Sequence, residues 1–262
     1  DEFGVGGIGP TFNSILITGF CVMGLGTVVL YGFGFTDIAN PLERFWASLF
    51  HCISAYNNAG FGLWGDNLVR YRDNPVVNGV IASMIVVGGI GWRVINDLWS
   101  NRSRLQRLRR LSLHTRLVLR STALLIVFGS LGLLFTEQFA AGGVIENLQW
   151  WQRIQVTLFQ SITARTAGFI TVPLSIQTFS DAGLLLLIML MFIGASPGGT
   201  GGGIKTTTFA TLMGATRSTL QGREEVVIHR RQIPDTVVLR AVGVTLASAI
   251  FVILMALLLG LG

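Results

Sequence analysis

Residues 194–210 read GASPGGTGGGIKTTTFA. Glycines that bare their backbone amides, followed by Lys-Thr, are the ingredients of a phosphate-binding loop. The Walker arrangement needs Gly-Lys-Ser/Thr, and here Ile204 stands before Lys205. No strand-like segment precedes the stretch and no Walker-type aspartate is evident, so nucleotide binding is set aside. Other side-chain chemistries have less to rest on. His51, His114 and His229 are scattered, and no cluster has metal-ligand spacing. Cys21 and Cys52 sit in apolar surroundings, where a thiol behaves as a small hydrophobe. Without a nucleophile–base pair, the chain does not read as an enzyme, and nothing in it calls for an organic cofactor.

A second pattern offers chemistry through the backbone. LFHCISAYNNAGF (49–61) and LFQSITARTAGF (158–169) align with a one-residue gap. Leu-Phe, Ile-Ser/Thr-Ala and Ala-Gly-Phe recur in order about 108 residues apart. Each motif closes a medium-length apolar segment, Phe45–Tyr56 and Trp150–Ala164. As helices these span roughly 18 to 22 Å, the length of a re-entrant segment rather than a crossing. Non-helical backbone at membrane depth must be buried in protein or line a watery cavity. Carbonyl oxygens there can replace the water shell of a cation. Gly60 and Gly168 lack a Cβ and can take φ > 0, turning a carbonyl toward an axis. The C-terminal end of each short helix adds partial negative charge. Taken alone, either Ala-Gly-Phe is equally a tight turn in a helical hairpin. The repeat, the segment length and the topology together favour an ion filter. GVGGIG (4–9) and VVGGIG (86–91) also match, but glycine-rich tetrads recur easily and carry little weight.

The elements that must position these loops are apolar spans. Hydrophobic residues make up 51% of the 262 and charged residues 12%, about half the charged share of a soluble domain. The uncharged runs are Thr11–Phe35, Val76–Trp92, Ser121–Phe135, Ala182–Ala195 and Ala241–Gly262, and no acid lies inside any of them. Eight arginines fall between Arg93 and Arg120 against one acid, Asp97, and a second charged cluster runs from Arg217 to Arg240. Basic residues in short loops mark the cytoplasmic side. Few aromatics are interleaved with them, so the net charge of +6 points to the membrane surface and not to nucleic acid. Both basic loops lie on one side only if each short segment dips in and returns. The first ten residues do not form a signal peptide, and the last run has no polar flank, so the chain reads as the interior of a longer one.

Ala182–Thr216 would form one helix about 52 Å long against a core of about 30 Å. A break is expected, and Pro197 with its glycines supplies it. The break falls in the cytoplasmic half of the bilayer, below the filter. It is either a gate that moves aside or a helix cap leading into a cytoplasmic loop. Lys205 is costly at that depth unless paired or hydrated; it anchors the loop or places positive charge in the cavity. Arg165, beside the second filter loop, donates to carbonyls, pairs with Glu137, Glu146 or Asp181, or is a solvated mouth residue.

The stretches SAYNNAGF, TARTAGF and SPGGTGGGIKTTT resemble the TrkH/TrkG/KtrB family of potassium transport proteins over essentially the whole chain. Near the third stretch the family pattern is usually Ser-Pro-Gly-Ser-Thr-Ala-Gly-Gly-Ile-Lys-Thr. Gly199 and Gly201 replace its Ser and Ala, which should make the loop more flexible. The resemblance implies an all-α membrane protein of repeated span–pore-helix–span units with re-entrant filter loops, as in a pore-loop channel. It implies four units around one pore, of which this chain supplies the second (1–100), a basic cytoplasmic linker (101–116), the third (117–216), a linker (217–235) and the first helix of the fourth (236–262).

Filter positions carry over to Asn58, Ala59, Gly60 and Phe61 and to Thr166, Ala167, Gly168 and Phe169, holding K+ at backbone carbonyls, with Arg165 as filter support. The gate carries over to Pro197, Gly198, Gly199, Thr200, Gly201, Gly202, Gly203 and Lys205. One glycine per segment predicts a potassium preference that lets sodium or rubidium through. The implied setting is a multi-pass protein of the plasma or inner membrane, surrounded by lipid. The implied partners are a second copy and a cytosolic nucleotide-binding regulatory subunit. The alternative is a secondary ion-coupled transporter whose broken helix is the substrate site.

Overall fold

A computed structural model of the chain describes residues 5–101, 111–140, 145–146, 148–175, 178–223, 225–228 and 231–260. Helix α1 (Val5–Val29) continues through a π-helical turn, Leu30–Gly34. The short helix α2 (Pro41–Tyr56) and helix α3 (Pro75–Ile90) complete the first unit. Both begin Asn-Pro: Asn40 and Asn74 accept backbone N–H groups of the first turn, and proline at the first helical position needs no partner. The second unit repeats the order with α5 (Leu113–Gln138), α6 (Trp150–Thr163) and α7 (Asp181–Phe192). Ser112 caps α5, Gln149 and Gln152 form a capping box on α6, and Ser180 caps α7.

The spans have the length and composition that a bilayer requires. Thr11–Gly34, Leu113–Gln138 and Asp235–Gly260 are each long and apolar enough to cross. Pro75–Ile90 joins helix α4 (Trp92–Ser100) at a bend of 92°. The pivot is Gly91 at φ 83, a conformation that suits glycine. Asp97 on α4 accepts from the Ser112 amide and the Thr115 hydroxyl, fastening the elbow to the start of α5. After α7 the chain leaves the helix for residues 193–205 and resumes as α8 (Thr206–Leu220). A two-stranded antiparallel hairpin, β1 (Val227–Ile228) and β2 (Arg231–Gln232), precedes α9 (Asp235–Gly260). The basic linker expected over 101–116 lies largely outside the described residues, at 102–110.

The apolar cores bind the two units together. Leu30, Phe35, Cys52 and Ile81 of the first unit share one buried cluster with Phe159, Ile162, Ala167 and Phe169 of the second. A second cluster joins α5, α6 and α7 through Leu125, Leu133, Val156, Leu187 and Leu190. The fold is an all-α membrane architecture of repeated span–pore-helix–span units with re-entrant loops.

Candidate functional site

The two Ala-Gly-Phe loops meet face to face. Each leaves its short helix through a residue in the left-handed region, Asn58 (φ 51) and Thr166 (φ 67). That correspondence confines the one-residue gap of the repeat to Tyr56 or Asn57. Gly60 and Gly168 follow at φ 74 and 80. A Cβ on Gly60 would sit 2.5 Å from the Ala167 carbonyl oxygen, and one on Gly168 would sit 3.3 Å from the Gly60 Cα. Glycine is thus required twice at Gly60, by its φ and by the approach of the neighbouring backbone. The same hydrogen bonds recur in both loops. Ser54 Oγ donates to Phe61 O and Thr163 Oγ1 donates to Phe169 O, each at 2.8 Å. Ala59 N donates to Ser54 O and Ala167 N to Thr163 O. A cleft of about 320 Å³ opens along Asn58, Ala59, Thr166, Ala167 and Gly168. Phe169 is buried, whereas Phe61 is 70% exposed.

The glycine-rich stretch lies directly against these loops and is tied to both. Asn58 Nδ2 donates to Thr200 Oγ1 at 2.7 Å, and Thr200 Oγ1 donates on to Tyr56 O at 2.8 Å. Gly202 N donates to Thr166 Oγ1 at 3.0 Å. The stretch also rests on the α3 elbow: Ser196 N donates to Gly89 O and Thr200 N to Gly88 O. A Cβ on Gly88 would strike Tyr56 O, and one on Gly199 would strike Gly89 O. Gly198 and Gly203 take positive φ, but Gly199 and Gly201 do not. Flexibility was the expectation for Gly199 and Gly201; what the geometry asks of them is absence of bulk. A Cβ on Gly201 would come within 2.7 Å of the Ala195 methyl and 2.8 Å of Thr166 Oγ1. Lys205 Nζ donates to Gly201 O at 2.8 Å, closing the loop on itself.

Arg165 is 8% exposed and its Nη2 donates to Gly194 O at 3.2 Å, linking the second Ala-Gly-Phe loop to the residues just past α7. Of its expected acidic partners, Glu137 is engaged elsewhere: its carboxylate accepts from Ser180 N and Oγ at the start of α7. Glu137 also corrects the expectation that no acid lies within a span. Helix α5 runs on to Gln138 and buries Glu137 to 1% exposure. Its capping task satisfies the carboxylate there. Two features had no role assigned from the sequence: the Gly88–Gly91 elbow, part of the VVGGIG match given little weight, and Asn67. Asn67 bonds Gly60 O and Ile170 N at once.

The TrkH family profile, described as "Cation transport protein", matches residues 12–261. The chain belongs to the TrkH cation transport family. This makes it part of a membrane transporter rather than of an enzyme. It is 38% identical to the Ktr system potassium uptake protein B of Bacillus subtilis over 79% of this chain and 45% of that protein. It is 35% identical to the potassium/sodium uptake protein NtpJ of Enterococcus hirae over 75% of this chain and 42% of that one. The chain therefore spans under half the length of these curated relatives. The crystal structure of the potassium transporter TrkH from Vibrio parahaemolyticus shares its fold, with a TM-score of 0.71 and 20% identity over 97% of this chain and 52% of that one.

Proposed function

We propose that this TrkH-family chain contributes two filter segments and a gate to a potassium uptake pore. The observation that carries the reading is the meeting of Gly60 and Gly168 at positive φ, each just past the end of a short helix, beside a cleft that Asn58, Ala59 and Gly168 line. Asn58, Ala59, Gly60 and Phe61 and their counterparts Thr166, Ala167, Gly168 and Phe169 present carbonyls to a dehydrated cation. No covalent chemistry is involved; the carbonyls offset desolvation. Two relatives are named for potassium uptake and one for potassium/sodium uptake, which supports K+ as the principal cargo with Na+ admitted. Residues 197–205 are the gate, latched to both loops through Thr200 and Gly202. Arg165 supports the filter by holding Gly194.

In this reading residues 1–100 and 117–216 are two filter-bearing units, and 236–262 opens a further one. The basic linkers at 101–116 and 217–235 face the cytoplasm, where they meet anionic lipid and a nucleotide-binding regulatory subunit, and the membrane subunit pairs with a second copy. Competing K+ and Na+ fluxes through the full-length protein in liposomes test the central point. Potassium is expected to be carried in preference; sodium carried tenfold better than potassium overturns it.

A further inference from the structure

Asn67 belongs to neither filter segment, yet its side chain touches both. Its Nδ2 donates to the Gly60 carbonyl at 2.9 Å, and its Oδ1 accepts from the Ile170 amide at 3.1 Å. Ile170 is the first residue past the second filter segment. The next residue strengthens the same junction, since Leu68 N donates to Ile170 O at 3.0 Å. One planar carboxamide thus spans two re-entrant loops from different units. The task needs a donor and an acceptor on one short side chain, which Asn has. Asp at this position would keep the acceptor and lose the donor. The backbone is equally particular: Asn67 sits at φ 55, where Asn is among the few tolerated residues.

The staple is mounted on a braced loop. Asn67 N closes a turn on Trp64 O. The Trp64 ring stacks on buried His51 of α2 at 4.7 Å and lies beneath the Arg70 guanidinium. Tyr71 hydrogen-bonds Asp37, and Asn78 holds the carbonyls of Tyr71, Arg72 and Asn74. A polar group fixed at its base can fix what it bonds. The Gly60 carbonyl is therefore held in direction by a group that never meets the ion.

We infer that Asn67 is a positioning residue that sets the spacing of the two adjacent filter loops and, through it, the preference for potassium over sodium. The inference rests on the filter reading above. Discrimination between ions of different radius depends on how far the carbonyls can close in, so a loosened junction admits the smaller ion more readily. Asn67→Gly removes the amide and accepts the positive φ; Asn67→Asp keeps the Ile170 contact and loses the Gly60 bond. Both are measured in the full-length protein in liposomes, as the K+ to Na+ ratio of kcat/KM normalised to incorporated protein, beside Gly60→Ala.

The ratio is expected to fall by about 3- to 10-fold in Asn67→Gly, the scale of one or two hydrogen bonds. In Asn67→Asp it falls as well, because the Gly60 bond is lost and a carboxylate draws the smaller Na+ more strongly at contact. If Asn67→Gly fails to reach the membrane, the charge-free Asn67→Ser decides. An unchanged ratio in the Asn67 variants with an altered ratio in Gly60→Ala overturns the staple and leaves the filter standing. An unchanged ratio in all of these variants overturns the filter reading and the staple with it.

Discussion

Ser54 donates to Phe61 O in the first unit and Thr163 donates to Phe169 O in the second, at the same distance. The left-handed residue, the glycine and the backbone turn also coincide. Toward the glycine-rich stretch the units differ. The span after the first loop, α3, bends once at Gly91 and continues as α4. The span after the second, α7, stops at Phe192 and releases a long irregular stretch before α8. The bent span then serves as the seat for the broken one, through the carbonyls of Gly88 and Gly89. The duplicated part is the one proposed to present carbonyls, and the divergent part is the one proposed to move. Outward of the loops they differ again: the first carries the braced segment with Asn67, and the second buries Phe169 beneath it.

The largest expected effect breaks the likeness of the two glycines. Gly60→Ala brings a methyl against the Ala167 carbonyl as well as a strained φ, whereas Gly168→Ala meets its nearest neighbour at 3.3 Å. The left-handed conformation alone costs about 1–2 kcal/mol for an L-residue. Potassium uptake is expected to fall by about 100-fold, to a low but measurable level, in Gly60→Ala and by about tenfold in Gly168→Ala. Equal effects would mean that the loops do not meet as described. Next in size is deletion of Gly198–Gly203, which is expected to raise ion flux several-fold; flux that stays the same or falls refutes the gate.

Smaller changes separate the latch from the seat. Thr200→Val removes the hydroxyl shared by Asn58 and Tyr56. With about 0.5 kcal/mol for each of the two exposed hydrogen bonds, the open loop gains about 5-fold in population, read as faster uptake. Gly199→Ala tests why glycine stands there. A methyl pressing on Gly89 O lifts the loop from the elbow and raises uptake by a smaller factor. If Gly199 served flexibility, the same substitution would stiffen the loop and slow uptake instead.

Much of this arrangement was legible beforehand because its signals are local. Run lengths, arginine-rich loops and the recurring Ala-Gly-Phe give the spans, the short helices and the repeat, and Pro197 with its glycines marks the broken helix. The remainder depends on distances across the fold. VVGGIG looked like chance, because only the packed structure shows Gly88 and Gly89 receiving residues 196–200. Glu137 lies two residues past the uncharged run Ser121–Phe135, and only the Ser180 cap explains its burial inside α5. For Arg165 the sequence leaves carbonyls, three acids and solvent open, and only the packed structure selects the Gly194 carbonyl. Asn67 had no signal at all: its partner Ile170 is 103 residues away.

The smallest expected effect comes from the residue beside that staple. Asp66 pairs with Arg70 at 2.8 Å, but both side chains are substantially exposed. The Arg70 hydrogen bond holds the Asp66 carboxyl below its ordinary value of 3.8. A depressed folded pKa means that the pair stabilises the loop above about pH 4 and loses that contribution as the pH falls through the folded value. Exposed pairs contribute little in any case. Asp66→Asn is therefore expected to leave thermal stability at neutral pH and the K+ to Na+ ratio unchanged, with a difference from the parent protein narrowing further below pH 4. Asp66 and Asn67 are adjacent in the chain and sit in the same turn, so a general loosening of the segment would move the ratio in both variants. A ratio that falls in Asn67→Gly and holds in Asp66→Asn assigns selectivity to the bond with Gly60. A ratio that falls equally in both assigns it to the fold of the whole outer segment.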